Sequence, residues 1–179
     1  MDVLNVEAGV IDQMVTNTGE TLRELSGRQP VLLIFLRHFG CTFCREALAD
    51  IARRRATIEA TGSRIVFVHM TDNEVADRYF TRYDLEGAIH ISDPERKYYA
   101  AFGLVRGNVT QLFGLQSWIR GFQAGVLDGH GLGPLLGDGF QMPGVFVIKQ
   151  GEVKESFIHK LASDRPDYME LVNCCAMEE

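Results

Sequence analysis

Continuous apolar runs alternate along the chain with segments whose apolar residues recur at helical spacing. The run Val31–Leu36 is typical of a central strand that is covered on both faces. "RIVFVHM" (Arg64–Met70) and "AIHIS" (Ala88–Ser92) predict two further buried strands. From Thr42 the apolar positions share one helical face until Gly62 ends the pattern. The alternation predicts a mixed α/β domain.

The patterning is weaker near the N-terminus and stronger again near the C-terminus. "VIDQMVT" (Val10–Thr16) reads as a short strand before a turn. Residues 107–138 form the least regular part, with one helical apolar stripe and a glycine-rich loop. Gly144–Ile148 and Val153–His159 flank a Gln-Gly turn and predict an antiparallel pair, which a last helix follows. The length of 179 residues favours one domain, residues 1–179.

Charge and composition exclude several classes of function. The net charge of −6 argues against a nucleic-acid partner or an anionic membrane surface. No apolar run is long enough to cross a bilayer, and no secretory signal is visible at the start. Without such a signal the four cysteines do not indicate a disulfide framework. We therefore predict a cytoplasmic location.

Cys41 and Cys44 lie where the first buried strand gives way to a helix. A cysteine at a helix N-terminus faces unpaired backbone N–H groups and the positive end of the helix dipole, and both favour thiolate. A second cysteine in the first turn can close a disulfide with little backbone movement. The spacing predicts redox use, with Cys41 as the exposed nucleophile and Cys44 as the more buried resolving thiol.

Two polar residues precede this pair. Arg37 could stabilise a thiolate, and His38 could act as imidazolium, move a proton, or be a surface residue at a strand end. Because adjacent side chains of a strand point to opposite faces, only one of the two is expected to face the sulfur. His69 and His90 lie inside apolar strands and are predicted to be core histidines with satisfied hydrogen bonds.

"FLRHFGCTFCREALADI" resembles the peroxiredoxin-like proteins of the alkyl hydroperoxide reductase/thiol-specific antioxidant superfamily. The similarity is greatest to the branch containing the prostamide/prostaglandin F synthases, with supporting matches in "ISDPERKYYAAFGL", "GDGFQMPGVFVI" and "SDRPDY". The resemblance implies a thioredoxin-like fold: a central mixed sheet flanked by helices, an N-terminal hairpin extension (1–30) and a helical and loop insertion (107–138). It also implies thiol-based reduction of a peroxide or a disulfide.

"PGVFVIKQGEV" has the form of the thioredoxin hairpin, in which the proline is cis and packs against the cysteine pair. The resemblance therefore implies a cis bond before Pro143. The chain departs from peroxiredoxins proper, which carry Pro-x-x-x-Thr/Ser-x-x-Cys. The matching positions here are Ile34 and His38. It also lacks the Trp-Cys-Gly-Pro-Cys of thioredoxins, since Thr42 and Phe43 separate its cysteines.

These observations predict a thiol oxidoreductase that needs no bound cofactor or metal. The expected substrate is a small peroxide or a protein disulfide, and the expected partners are a thioredoxin- or glutathione-type dithiol reductant and a second copy in a homodimer. Two alternatives remain open. The domain could be a non-catalytic binding module, or His38, Cys41 and Cys44 could bind zinc with Cys174 or Cys175.

Overall fold

The computed structural model describes residues 6–108 and 137–176. Its helices are α1 (Ala8–Gln13), α2 (Leu22–Arg28), α3 (Thr42–Ala60), α4 (Asn73–Arg82), α5 (Lys97–Ala101) and α6 (Tyr168–Ala176). Its strands are β1 (Val31–Phe35), β2 (Arg64–His69), β3 (Ile89–Ser92), β4 (Gly144–Lys149) and β5 (Glu152–Ile158).

The five strands form one mixed sheet in the order β3-β2-β1-β4-β5. β1 runs parallel to β2 and antiparallel to β4, and every residue of β1 is buried. The continuous apolar run thus becomes the central strand, as predicted, because both of its faces need a hydrophobic cover. Phe35, its last residue, pairs with Val68 on one side and with Gly144 on the other.

The two faces of the sheet bury separate hydrophobic clusters. Leu32 and Ile34 of β1 pack with residues of α3, α4 and α6, and the cluster includes Cys41 and Cys44. Alternate residues of β1, such as Phe35, pack with α1, α2 and α5. This division follows from the two-residue period of a strand. It confirms the central mixed sheet flanked by helices.

Tyr99 of α5 fixes the end of β1 from the second face. Its hydroxyl donates hydrogen bonds to the carbonyls of Leu36 and Val68, and its ring meets that of Phe35 edge-on at 5.0 Å. The carbonyl of Val68 also accepts the amide of Leu36 at 2.9 Å. The chain therefore leaves β1 in a defined direction through Leu36, and Arg37 follows Leu36.

The N-terminal segment differs from the predicted strand. Val10–Gln13 belongs to α1, and a single antiparallel bridge joins Val15 to Thr21. The strand prediction for Val10–Thr16 is wrong because this stretch buries Ile11 and Met14 against the sheet instead of pairing along an edge. Residues 109–136 of the proposed insertion lie outside the described residues. The division into residues 1–30 and 107–138 therefore stays a prediction.

His69 and His90 form a buried hydrogen-bonded chain, which confirms their prediction as core histidines. Thr71 donates its amide to Nδ1 of His69 at 3.4 Å, so Nε2 of His69 carries the proton. That Nε2 lies 2.9 Å from Nδ1 of His90, and Nε2 of His90 lies 2.9 Å from Oδ1 of Asp77. Both rings are 0% exposed. Burial, with His90 as a second cause, lowers the pKa of His69 to about 3.

We expect acid to destabilise the protein through His69. The unfolded chain binds a proton to this residue below about pH 6.5, but the folded protein does not until about pH 3. Within that window the free energy of unfolding should fall by about 1.4 kcal/mol per pH unit as pH decreases. Urea unfolding from pH 6.0 to 4.5, inside that window, measures this slope. His69→Gln should reduce this slope by about 1.4 kcal/mol per pH unit, which is the contribution of one proton. An unchanged slope in that variant would contradict the assignment.

Candidate active site

Cys41 is the N-cap residue of α3, and its side chain makes no capping hydrogen bond. Its amide donates to the carbonyl of His38 at 3.0 Å, which closes a tight turn between β1 and the helix. The sulfur therefore lies where the first-turn amides and the helix dipole favour negative charge. Cys44 follows in the first turn, and both residues are free thiols.

Arg37 is the residue that faces the sulfur. Its Nη1 donates to Sγ of Cys41 at 2.8 Å, Nε donates to the carbonyl of Gln141 at 3.2 Å, and Nη2 donates to the carbonyl of Gly139. Only 8% of the residue is exposed. Three fixed donors leave the planar guanidinium one orientation, so its charge is held against the sulfur.

Residues 137–142 hold Arg37 in place. The buried amide of Gln141 donates to the carbonyls of Leu104 at 3.0 Å and Met142 at 3.2 Å. Asp138 forms ion pairs with Arg96 and Arg106, and the pKa of Asp138 is lowered by hydrogen bonds and by these cations against the opposing effect of burial. This segment therefore presents its carbonyls to Arg37 from a fixed position.

The cysteines are more buried than the sequence predicted. Cys41 is 7% exposed and Cys44 is 5% exposed, so the prediction of an exposed Cys41 is wrong. The cause is Arg37, whose side chain lies on the Cys41 sulfur. Burial raises the pKa of Cys44 well above its usual value, and the neighbouring Cys41 adds to that shift against the opposing effect of Arg37. Cys44 is therefore a protonated thiol at neutral pH.

His38 lies beside the site but is not an imidazolium. Burial, followed by the positive charges of Arg37 and Arg45, lowers the pKa of His38 to about 4. Its Nδ1 is buried without a hydrogen-bond partner among the described residues. The imidazolium role is therefore wrong at neutral pH, and a part in proton movement stays a prediction. Arg45, which is buried, donates from Nε to the carbonyl of Phe39 at 2.8 Å and so fixes the turn before Cys41.

Pro143 lies in the wall of a small cavity that Cys44 also lines. The implied cis bond is wrong, because every peptide bond of residues 6–108 and 137–176 is trans. Pro143 directly precedes β4, and a proline at the start of a strand needs no ladder donor and fits the extended chain in trans.

The alternative that the cysteines bind zinc is not supported by the arrangement of the described residues. In the described part of the chain, no group of three or more histidine, cysteine, aspartate or glutamate side chains is arranged to hold a metal ion. Cys174 and Cys175 lie at the end of α6, with their sulfurs 3.5 Å apart.

Among the described residues, no helix has the length and apolar character of a membrane span.

Sequence reasoning missed Gly139, Gln141 and Asp138 as parts of the site. They lie about a hundred residues from Arg37, and their contribution is made mainly through backbone carbonyls, which carry no residue-type signature. The motif "GDGFQMPGVFVI" did contain them, so the similarity marked the segment without indicating its role.

Gln141→Leu is expected to loosen this support. The change leaves the buried carbonyls of Leu104 and Met142 without the amide donor, at a cost of about 1–3 kcal/mol in unfolding free energy. It should also slow alkylation of Cys41, because the backbone carbonyl of residue 141, which accepts a hydrogen bond from Nε of Arg37, is then held less firmly. Urea unfolding and iodoacetamide kinetics measure both effects. Gln13→Leu, the same change at an exposed position, is the control, and equal effects in the two variants would contradict the role of Gln141.

The chain is similar to several known proteins. The family model of the AhpC/TSA antioxidant enzymes matches residues 50–161. The prostamide/prostaglandin F synthase of Danio rerio is 28% identical over 163 residues, 87% of this chain and 80% of that protein. The thioredoxin-like protein AAED1, chloroplastic, of Arabidopsis thaliana is 26% identical over 155 residues, which cover 81% of this chain and 62% of the relative. This chain therefore spans less than two thirds of the plant protein's length.

The solved structure of Xanthomonas campestris peroxiredoxin Q superposes with a TM-score of 0.65, over 98% of this chain and 96% of that chain, at 14% identity. This similarity shows the fold. The chain thus combines a thioredoxin-like fold with a cysteine pair at the start of a helix. The chain belongs to the AhpC/TSA antioxidant enzyme family, and its relatives confirm the branch that the motifs indicated. The matched residues begin after both cysteines, so the site assignment depends on the geometry of Cys41 and Cys44 themselves.

Proposed function

We propose that this protein is a thiol-dependent oxidoreductase that reduces a peroxide or a disulfide through Cys41 and Cys44. The observation that carries the proposal is the contact of 2.8 Å between Nη1 of Arg37 and the Cys41 sulfur, at the N-cap of α3. A guanidinium and a helix N-terminus on one sulfur favour the thiolate, which is the nucleophilic form of cysteine. Membership of an antioxidant enzyme family supports the same chemistry.

The reaction has two steps. The Cys41 thiolate attacks a peroxide oxygen, which gives a Cys41 sulfenic acid and releases an alcohol once a proton is supplied. With a disulfide substrate the same attack gives a mixed disulfide and releases a thiolate. Cys44 then attacks the Cys41 sulfur and forms the Cys41–Cys44 disulfide, with loss of water or of the second thiol.

An external dithiol must return the pair to its reduced form. We assign this role to a thioredoxin- or glutathione-type reductant, in keeping with the family. A homodimer and a cytoplasmic location complete the proposal. The name of the Arabidopsis relative places that protein in the chloroplast, and subcellular fractionation tests the cytoplasmic location proposed for this one.

Mass spectrometry tests the proposed pair directly. After treatment with one equivalent of peroxide, the peptide that contains Cys41 and Cys44 should lose two hydrogens, and dithiothreitol should restore its mass. Thioredoxin and glutathione are then compared as reductants of the oxidised protein. A stable sulfinic acid at Cys41 beside a free Cys44 would contradict the redox pair. Two unmodified thiols would favour the non-catalytic binding module.

A further inference from the structure

A cavity of about 30 Å³ lies beside Cys44, between β1, the start of α3 and the segment that follows β5. Its wall includes Arg37, Cys44, Pro143 and His159. A space of this size holds a water molecule when polar groups line it. The cavity therefore connects the resolving thiol to a small set of side chains distant in sequence.

His159, the residue after β5, forms part of the wall of this cavity. Its Nδ1 is buried and has no hydrogen-bond partner among the described residues. The backbones of Pro143 and Asp164 lie near the imidazole, and both act to raise its pKa. Burial lowers the pKa of His159 to about 4, against the opposing charge of Asp164. The ring is therefore neutral at pH 7, and one of its nitrogens can accept a proton.

Of the four other ionisable groups of the cavity, two arginines and a tyrosine cannot accept a proton from Cys44, and the fourth is the carboxylate of Asp164. Arg37 and Arg165 are permanent cations. The carboxylate of Asp164 accepts the backbone amides of Lys160 and Leu161, both at 2.8 Å. Tyr168 is a protonated phenol whose pKa is raised by burial. Arg165 and Asp164 are also the charged groups that face His159, with opposite effects on its pKa.

We propose that His159 accepts the proton of Cys44, through a water molecule in this cavity, as Cys44 attacks Cys41. The proposal rests on the proposed function, because it describes the second step of that reaction. The Cys44 sulfur forms the S–S bond to Cys41, and the S–O bond of the sulfenic acid breaks. The proton passes from Cys44 to His159 and then to the leaving hydroxide, which departs as water. No further oxidant or reductant is required.

Charge changes during the reaction make this transfer feasible. Burial disfavours the Cys44 thiolate and the His159 imidazolium when each is considered alone. Formed together, the two charges attract each other across a site of low dielectric, and attack on Cys41 consumes the thiolate as it appears. Oxidation of Cys41 also removes one negative charge that raises the pKa of Cys44.

The test separates the two steps in single-turnover experiments with rapid-quench mass spectrometry. In His159→Gln, the rate of Cys41 oxidation should match that of the wild type, whereas disulfide formation at pH 7 should slow about 100-fold. The deficit should shrink as pH rises, because hydroxide then removes the Cys44 proton. His159→Ala should be equally slow and should recover when imidazole is added, since the enlarged cavity admits a free base.

Val145→Ala, in the same cavity wall, is the control for altered packing: it should not slow disulfide formation selectively, and imidazole should not affect it. Disulfide formation at the wild-type rate in His159→Gln would overturn the role of His159. Failure of imidazole to rescue His159→Ala would also overturn it. A wild-type protein that oxidises Cys41 without ever forming the disulfide would instead overturn the proposed function, and the role of His159 with it.

Discussion

Cys41→Ser is expected to abolish both turnover and rapid alkylation at neutral pH, whereas Cys44→Ser leaves a reactive Cys41. The difference follows from the positions of the two sulfurs. Cys41 receives a hydrogen bond from Arg37 at 2.8 Å at the helix N-terminus, whereas burial raises the pKa of Cys44 and keeps it protonated. Cys44→Ser should therefore accumulate a sulfenic acid or a trapped mixed disulfide at Cys41.

Two measurements on each variant test this difference in reactivity. One is the alkylation rate as a function of pH, and the other is the steady-state reduction of peroxide and of a protein disulfide. The matched control is the double variant Cys174→Ala with Cys175→Ala, whose sulfurs lie at the end of α6. It should keep nearly full activity. Faster alkylation of Cys44 than of Cys41, or an inactive control, would show that the roles are assigned incorrectly.

Arg37→Met is expected to slow alkylation of Cys41 at pH 7 about 10- to 100-fold. A hydrogen bond to a charged group contributes about 1.5–3 kcal/mol, and each 1.4 kcal/mol corresponds to a factor of ten. Methionine keeps much of the apolar volume of arginine, but it removes the donors to the Cys41 sulfur and to the carbonyls of Gly139 and Gln141. The variant should therefore also lose stability.

Arg37→Lys separates charge from geometry in this experiment. Lysine keeps a positive charge but cannot donate in a planar fork, so we expect an intermediate alkylation rate. Arg53→Met, an exposed change on α3, controls for the loss of one positive charge. If Arg37→Met and Arg53→Met alkylate at the same rate, Arg37 does not act on the sulfur.

Much of the fold could be predicted because strands and helices have different apolar periods. The unbroken run at β1 requires cover on both faces, and the structure provides it from two clusters of helices. The N-terminal strand was mispredicted because a stretch of seven residues with mixed apolar positions fits either period. Ile11 and Met14 are buried in either case, and their contact with the sheet selects the helix.

The site was only partly predictable. Local sequence placed Cys41 at a helix start and Cys44 one turn later, because both positions depend on neighbouring residues alone. The choice between Arg37 and His38 depended on where the chain turns after β1. The hydroxyl of Tyr99 fixes that direction from more than sixty residues away. The burial of Cys41 depends in turn on the direction that Arg37 takes.

The sequence by itself determined the strand and helix pattern, the position of the cysteine pair and the family, because these reside in short-range periodicity and local motifs. Only the tertiary structure decided which cation contacts Cys41, which backbone carbonyls hold that cation and which base shares a cavity with Cys44. Arg37 and Cys41 are only four positions apart, but the carbonyls that hold Arg37 lie about a hundred positions away, and Cys44 shares its cavity with His159, which is equally distant in sequence. Packing of the whole sheet brings them together, and no local pattern in the sequence encodes that distance.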